Sequence, residues 1–339
     1  MSHNHRDTRN EADRLDLLRS EVPTACTDER KAVEFFERQR WGETPACPRC
    51  GDTDVYQLVD RTTGERNRRY LWKCNGCEEQ YTVRIGTVME HSRIPLRHWA
   101  YAFWSACASK KGVSALQIRR QTRVSYKSAL FMMHRIRYAM AVTAPQPKLT
   151  GVVEADETFF GGKRRNKTRD QWLKVHAARQ ASGLSVQPQG YHGKPPIFAV
   201  VQRGGDVRAT VVPDVTARSL KAAIRECVDP SATIYTDEHA SYQGLGKEFA
   251  AHDTVKHSMN EYARGPVSTN SVEGFFGLMK RALIGTFHSV SKKHLHRYVS
   301  EFEFKFNTRK LDDGERLVAA LRGAEGKRLL YREPIEAPA

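Results

Sequence analysis

Residues 269–283 read T-N-S-V-E-G-F-F-G-L-M-K-R-A-L. Val272, Phe275, Phe276, Met279 and Leu283 recur at i, i+3, i+4, i+7 and i+11, which is the apolar stripe of an amphipathic helix. Asn270, Glu273, Gly277 and Lys280 fall on a neighbouring polar stripe. A carboxylate, a small residue and a lysine on one face suit a metal ion with a phosphate backbone close by. Asn270 and Glu273, three apart, also make a capping-box pattern, a purely structural role. The sequence upstream favours the first reading.

Working back from that helix, G-V-V-E-A-D-E at 151–157 reads as a strand with Asp156 near its end. Residues 161–196 are polar, with a basic run at 163–167, and look like an insertion or loop. Ile197–Gln202 and Val207–Val212, joined by Arg203-Gly204-Gly205-Asp206, predict a hairpin. A helix is expected over Ser219–Val228, with Leu220 and Ile224 inside. A short apolar strand follows at 233–237 and ends on Asp237; another is expected near Val255–Ser258. The order β-β-β-α-β-α-β-α gives a mixed sheet with helices on its faces. It would gather Asp156, Asp237 and Glu273. Converging carboxylates repel one another unless divalent cations sit among them, and Mg²⁺ suits hard oxygen ligands. Two such ions about 4 Å apart can activate a hydroxyl and stabilise the leaving oxygen of a phosphodiester. Around this trio, Glu154 shares a strand face with Asp156, either tuning it or solvated, whereas Glu157 and Glu238 point away by alternation. His239, His252 and His257 offer phosphate donors or structural contacts.

Nearer the N-terminus, C-P-R-C-G at 47–51 and K-C-N-G-C at 73–77 are two knuckles. Cys47, Cys50, Cys74 and Cys77 offer four thiolates and no other ligand type, the signature of a closed, structural Zn²⁺ site. Arg61, Arg66, Arg68, Arg69 and Lys73 charge the hairpin between them, either for phosphates or as a solvated face. Thr27 is placed to cap a helix running to about Arg40, with Ala32, Val33 and Phe36 inside. Residues 1–26 read as a disordered tail and 27–94 as a helix plus zinc ribbon.

Residues 95–142 predict three helices. Pro95 opens one carrying Trp99, Phe103, Trp104 and Cys107. Ser114 and Gln117 suggest a capping box for a short helix that buries Leu116 and Ile118. After a turn at 122–124, Ser125 caps a helix with Ala129, Leu130, Met133, Ile136 and Met140 at helical spacing. A tight turn before the last helix fits a helix-turn-helix; a plain packing unit fits equally. On the first reading Tyr126, Lys127 and Arg135 face a groove, with Arg119, Arg120 and Arg123 on the backbone. A linker is expected at 143–150, a catalytic domain at 151–310, and an uninformative charged tail at 311–339.

Composition bounds the function. A chain of 339 residues implies more than one domain, and a net charge of +16 points to a polyanionic partner. Lys280, Arg281, Lys292, Lys293 and Arg297 extend a basic path, or form an ordinary basic surface. No apolar run approaches the roughly 20 residues of a membrane span, and the polar start is unlike a signal peptide. Four of the seven cysteines sit in the two C-x-x-C pairs, which suits a reducing compartment.

Taken together, C-P-R-C-G, E-A-D-E-T-F-F-G-G from Glu154, Y-T-D from Tyr235, T-N-S-V-E-G-F-F with L-M-K-R, G-T-F-H-S-V-S-K-K-H-L-H-R-Y and E-F-E-F-K-F-N resemble insertion-sequence DDE transposases. The resemblance is to the ISXO-like group, which carries an N-terminal four-cysteine zinc ribbon, and it spans about residues 27–310. It implies a multidomain α/β protein whose RNase H-like mixed sheet follows the ribbon and the helix-turn-helix-like unit. It further implies Asp156, Asp237 and Glu273 as a Mg²⁺-binding triad (Mn²⁺ as a substitute), with Asn270 sharing or assisting the third position. The implied activity is binding of terminal inverted repeats in double-stranded DNA, cleavage at the element ends and transfer of the 3′-hydroxyls to target DNA by two-metal-ion chemistry. Arg68, Arg69, Arg123, Tyr126, Lys127, Arg135, Lys280 and Arg281 are the expected DNA contacts. A homodimer or higher oligomer is expected at synapsis, in the cytoplasm at the nucleoid of a prokaryote. The alternative is a zinc-ribbon DNA-binding regulator derived from such an enzyme and lacking catalysis.

Overall fold

The structure is a computed structural model that describes residues 20–161, 170, 173, 177, 194–255, 259 and 263–330. It has two compact units. One comprises residues up to Thr143 together with Ile284–Ser289 and the chain from Thr308 onward; the other is Ala144–Leu283 with Val290–Asn307. Among the described residues no helix is long and apolar enough to cross a membrane.

In the first unit, helix α1 (Glu29–Trp41) starts one residue later than expected. Asp28, not Thr27, is the cap, and its side chain accepts from the Lys31 amide at 2.8 Å. Residues 20–27 are helical and bury Val22 and Ala25, so order begins before residue 27, where the tail was expected to end. Strands β1 (Val55–Gln57), β2 (Trp72–Cys74) and β3 (Gln80–Tyr81) form the antiparallel ribbon. Trp41 of α1 meets Trp72 and Tyr81 edge-on, at 5.7 and 5.9 Å between ring centres. Three helices follow: α2 (Leu96–Ala108), α3 (Ala115–Thr122) and α4 (Tyr126–Met140). Ser114 and Ser125 cap α3 and α4 as predicted, and Arg123 makes the turn between them at φ +59°. Ile118 is buried, but Leu116 is 49% exposed.

Of the stretch expected to be a tail, residues 311–330 are described and are structured. Asp312 and Glu315 form a complete capping box that opens a helix, Asp313–Arg322, and Leu317, Val318 and Ala320 are buried. It packs on α2, where the Arg316 guanidinium donates to the Cys107 carbonyl at 3.0 Å. Beyond it, Glu325 bridges to Thr87.

In the second unit, β4 (Val152–Phe159), β5 (Pro196–Gln202) and β6 (Val207–Val211) form an antiparallel meander. Helix α5 (Ala217–Cys227) then crosses to β7 (Thr233–Thr236), which lies parallel to β4, and β8 (Ala251–Thr254) lies parallel to β7. The sheet order is β6-β5-β4-β7-β8, a mixed RNase H-like sheet. Val153, Ala155, Phe198, Val200 and Ile234 pack one face against Leu220 and Ile224 of α5. Two short 3₁₀ turns, not an α-helix, join β7 to β8, and β8 covers Ala251–Thr254; of the strand expected near Val255–Ser258, residues 256–258 lie outside the described residues. Leu149 pairs with Val228 and is buried, so the expected linker ends before it. A small hairpin, Ala263–Arg264 with Val267–Ser268, leads into α6 (Asn270–Ala282). The chain then makes a π-helical turn, Leu283–Phe287, before α7 (Leu295–Asn307). All five residues of the apolar stripe quoted first are buried. Phe302, Phe304 and Phe306 lie on α7.

Candidate functional site

Two places hold metal-capable side chains. In the ribbon, the ligand atoms of Cys47, Cys50, Cys74 and Cys77 all lie within 4.8 Å of one another. The Sγ atoms of Cys47 and Cys77 are 3.7 Å apart and those of Cys50 and Cys74 3.6 Å. Four thiolates on a tetrahedral ion with bonds of about 2.3 Å would be separated by about 3.8 Å, so the donor set fits zinc. Backbone geometry holds the knuckles: the Gly51 amide donates to the Cys47 carbonyl at 2.9 Å and the Cys74 amide to the Glu79 carbonyl at 3.1 Å. At Gly76 a Cβ would lie 2.2 Å from Asp52 Oδ2, so a larger residue there would have to displace that carboxylate.

The second place is the end of the sheet. The parallel register pairs Val153 with Ile234 and Glu154 with Tyr235. Continuing it by two residues sets Asp156 of β4 beside Asp237, just past β7, on adjacent strands and the same face. Asp156 is held at about 8: burial pushes its carboxyl up first, then the charges of Glu157 and Asp237, and last that of Glu273. Asp237 Oδ1 accepts from the His239 amide at 3.0 Å. Glu157 is turned from Asp156 by strand alternation, and its carboxylate takes the Tyr242 hydroxyl at 2.5 Å. It still lies near enough to raise Asp156, and its own carboxyl is raised by burial and Asp237, against the Tyr242 hydrogen bond and His239. Glu157 thus belongs to the acidic surroundings that alternation alone would have left out.

Asn270 and Glu273 are both exposed on α6. They do not form a capping box. Thr269 occupies the cap position, and its hydroxyl donates to Glu273 at 2.9 Å. The helix amides are instead met by Glu154, which is 1% exposed and accepts from the Ser271 and Val272 amides at 2.6 and 3.2 Å. Glu154 is therefore neither solvated nor directed toward Asp156, and only its strand position hinted at a role. Asp156, Asp237 and Glu273 offer hard oxygen donors of one sign, the chemistry that suits a divalent cation, but their ligand atoms do not gather within 4.8 Å as the cysteines' do among the described residues. Of the histidines, His252 is bound to the Thr236 hydroxyl at 2.9 Å, and burial lowers its pKa. His257 and most of 161–196 lie outside the described residues.

The expected DNA contacts separate into two groups. Arg68, Arg69, Arg123, Tyr126 and Lys127 are exposed in the first unit, and Lys280 and Arg281 in the second. Arg135 is 6% exposed and faces no groove: it donates to the carbonyls of Glu90 and Leu329 and stacks on Phe131 at 4.6 Å. Its stem lies on the inner side of α4 beside Ile136, so helical spacing carried it inward. Arg66 is likewise spent on structure, in a paired contact with Glu37, which also accepts from the Trp72 indole at 2.7 Å. Arg297 is buried in α7 rather than placed on a basic path.

Comparison with known proteins agrees with this arrangement. Residues 148–307 match the model of the ISXO2-like transposase domain, and residues 27–80 that of the transposase zinc-ribbon domain. A protein of transposable element ISH50 from Halobacterium salinarum is 28% identical over 82% of this chain and 90% of its own length. A transposase-like protein of Haemophilus influenzae is 34% identical over 30% of this chain and 80% of its own length. Among solved structures, a chain of a simian T-cell lymphotropic virus intasome aligns over 55% of this chain and 63% of its own length. Its identity is 17% and its TM-score 0.27, too low to bear on the fold.

Proposed function

Because the chain belongs to the ISXO2-like transposase family, we propose that it cuts DNA at the ends of its insertion element and joins the freed 3′-hydroxyls to target DNA. The observation that carries this reading is the parallel register of β4 and β7, which sets Asp156 beside Asp237 at one end of the sheet, where Glu273 also acts on Asp156. In this reading Asp156, Asp237 and Glu273 hold Mg²⁺, or Mn²⁺ in its place, with Asn270 beside the third acid. When bound, the ion supplies Lewis acidity and neutralises charge on the phosphodiester. Lys280 and Arg281, exposed on the helix that carries Glu273, orient the strand through its phosphates. The zinc ribbon, through Arg68 and Arg69, and the helix-turn-helix-like unit, through Arg123, Tyr126 and Lys127, hold the terminal repeats. Pairing of two ends calls for a dimer or larger assembly, working at the nucleoid. The test is a joining assay with oligonucleotides carrying the element ends. Asp156→Asn should abolish Mg²⁺-dependent cleavage and joining, by about 1,000-fold or more, while end binding persists. Wild-type protein that binds ends but joins nothing with any divalent ion would instead mark a DNA-binding regulator.

A further inference from the structure

We infer that Glu154 and Arg203 are positioning residues: one ion pair, its carboxylate buried and its guanidinium half-buried, sets the spacing of all three acids by gripping the chain beside each of them. The inference rests on the proposed function for the meaning of that spacing. Glu154 lies two residues before Asp156 on β4, and its register partner Tyr235 lies two residues before Asp237. Its two oxygens share four donors. Oε1 accepts from Arg203 Nε at 2.7 Å and the Ser271 hydroxyl at 3.1 Å, while Oε2 accepts from the amides of Ser271 and Val272. Those amides open the helix whose first turn carries Asn270 and Glu273. A carboxylate there meets both unpaired N–H groups and the positive end of the helix dipole.

Arg203 completes the grip from the β5–β6 turn. Its Nη atoms donate to the Pro266 carbonyl at 2.6 Å and to the Ser268 hydroxyl at 2.7 Å, tying down the hairpin that leads into α6. Its guanidinium also lies over the Tyr235 ring, 4.9 Å from the centre. Neither residue reaches the reacting atoms. Both act through the backbone that presents the acids, as residues behind a metal's ligands commonly do.

The test is a Mn²⁺ titration of the full chain by calorimetry, with thermal unfolding and DNA-end binding measured in parallel. Glu154→Gln should weaken Mn²⁺ binding by about 10- to 100-fold and speed amide exchange at Ser271 and Val272. Arg203→Lys keeps the charge but loses the forked reach, so it should weaken Mn²⁺ in the same direction if Glu154→Gln does not fold. The double variant Glu154→Leu/Arg203→Met removes both charges together and leaves neither unpaired, and its thermal unfolding reads how much of any Mn²⁺ loss is lost stability. A double variant that unfolds like wild type yet binds Mn²⁺ weakly supports the inference. Variants that match wild-type Mn²⁺ affinity overturn it, as does wild-type protein that takes up no Mn²⁺. Wild-type protein that binds Mn²⁺ but joins no DNA ends removes the proposed function and leaves the positioning role standing.

Discussion

In the ribbon, four thiolates lie within 4.8 Å of one another; on the sheet, the charges of Asp237 and Glu273 act on Asp156, but the three acids form no such group among the described residues. The difference follows from what holds each set. The knuckle carbonyls and amides bond within a few residues of each cysteine, so the backbone brings the sulfurs together. The acids arrive from two strands and a helix far apart in sequence, and they repel one another. The cysteine centre is built by local turns, whereas the acids are brought near one another by the whole sheet and the helix beside it. The same contrast predicts opposite responses to losing a ligand.

The largest effect belongs to the ribbon, where metal binding and folding are one event worth on the order of 10 kcal/mol. Cys74→Ser, or a strong chelator, should unfold residues 47–81 and release one zinc per chain, read by a metal-sensitive dye and amide NMR. The β4–β8 sheet should keep its own unfolding transition. Retention of the ribbon fold without metal would remove the distinction.

A half-buried acid outside the cluster shows what loss of water does by itself. Glu303 on α7 is lifted to about 7 by burial, with Arg208 and the Ala209 amide pulling the other way and Asp206 adding to the rise. Below its ordinary value near 4.5, folded and unfolded chains both hold the proton. Between 4.5 and about 7 only the folded chain does, so stability falls as pH rises through that window, and the full cost remains above it. Glu303→Gln should flatten that slope and stabilise the protein at pH 8 by about 3 kcal/mol, one pKa unit being worth about 1.4. Denaturant titrations at pH 5 and 8 give the difference, and equal gains at both would contradict it.

Within the cluster the effect is smaller and runs against that of the cysteines. Asp237→Asn keeps an acceptor for the His239 amide and removes one charge acting on Asp156, so metal-free protein should gain about 1 kcal/mol. A clear loss in thermal unfolding without metal would mean that the acids are structural after all. The smallest effect is at the surface. Arg68→Ala and Arg69→Ala should each lower the salt slope of DNA binding by about 1 with little change in stability. Arg135→Ala should do the reverse, because its guanidinium holds two carbonyls inside the first unit.

Much of this was legible in the sequence, because the signals were local or periodic. The stripe from Val272 to Leu283, the two knuckles, the β5–β6 turn and the caps Ser114 and Ser125 each depend on residues a few positions apart. What escaped depended on partners distant in sequence. Glu154 looks like any acid on a strand until Ser271 and Arg203 arrive beside it. Arg135 and Arg297 look like surface charge until their helices turn them inward. The helix at 313–322 was missed for another reason: its Asp312–Glu315 box was readable, but the surrounding charge masked a short buried stripe.

That last helix has a consequence for the order of assembly. Its Arg316 closes on the carbonyl end of α2, more than two hundred positions earlier, so the first unit is finished by a segment that follows the sheet. Because synthesis runs from the N-terminus, the ribbon and the three helices emerge before this packing partner exists. The first unit reaches its complete form only after the entire sheet has been translated.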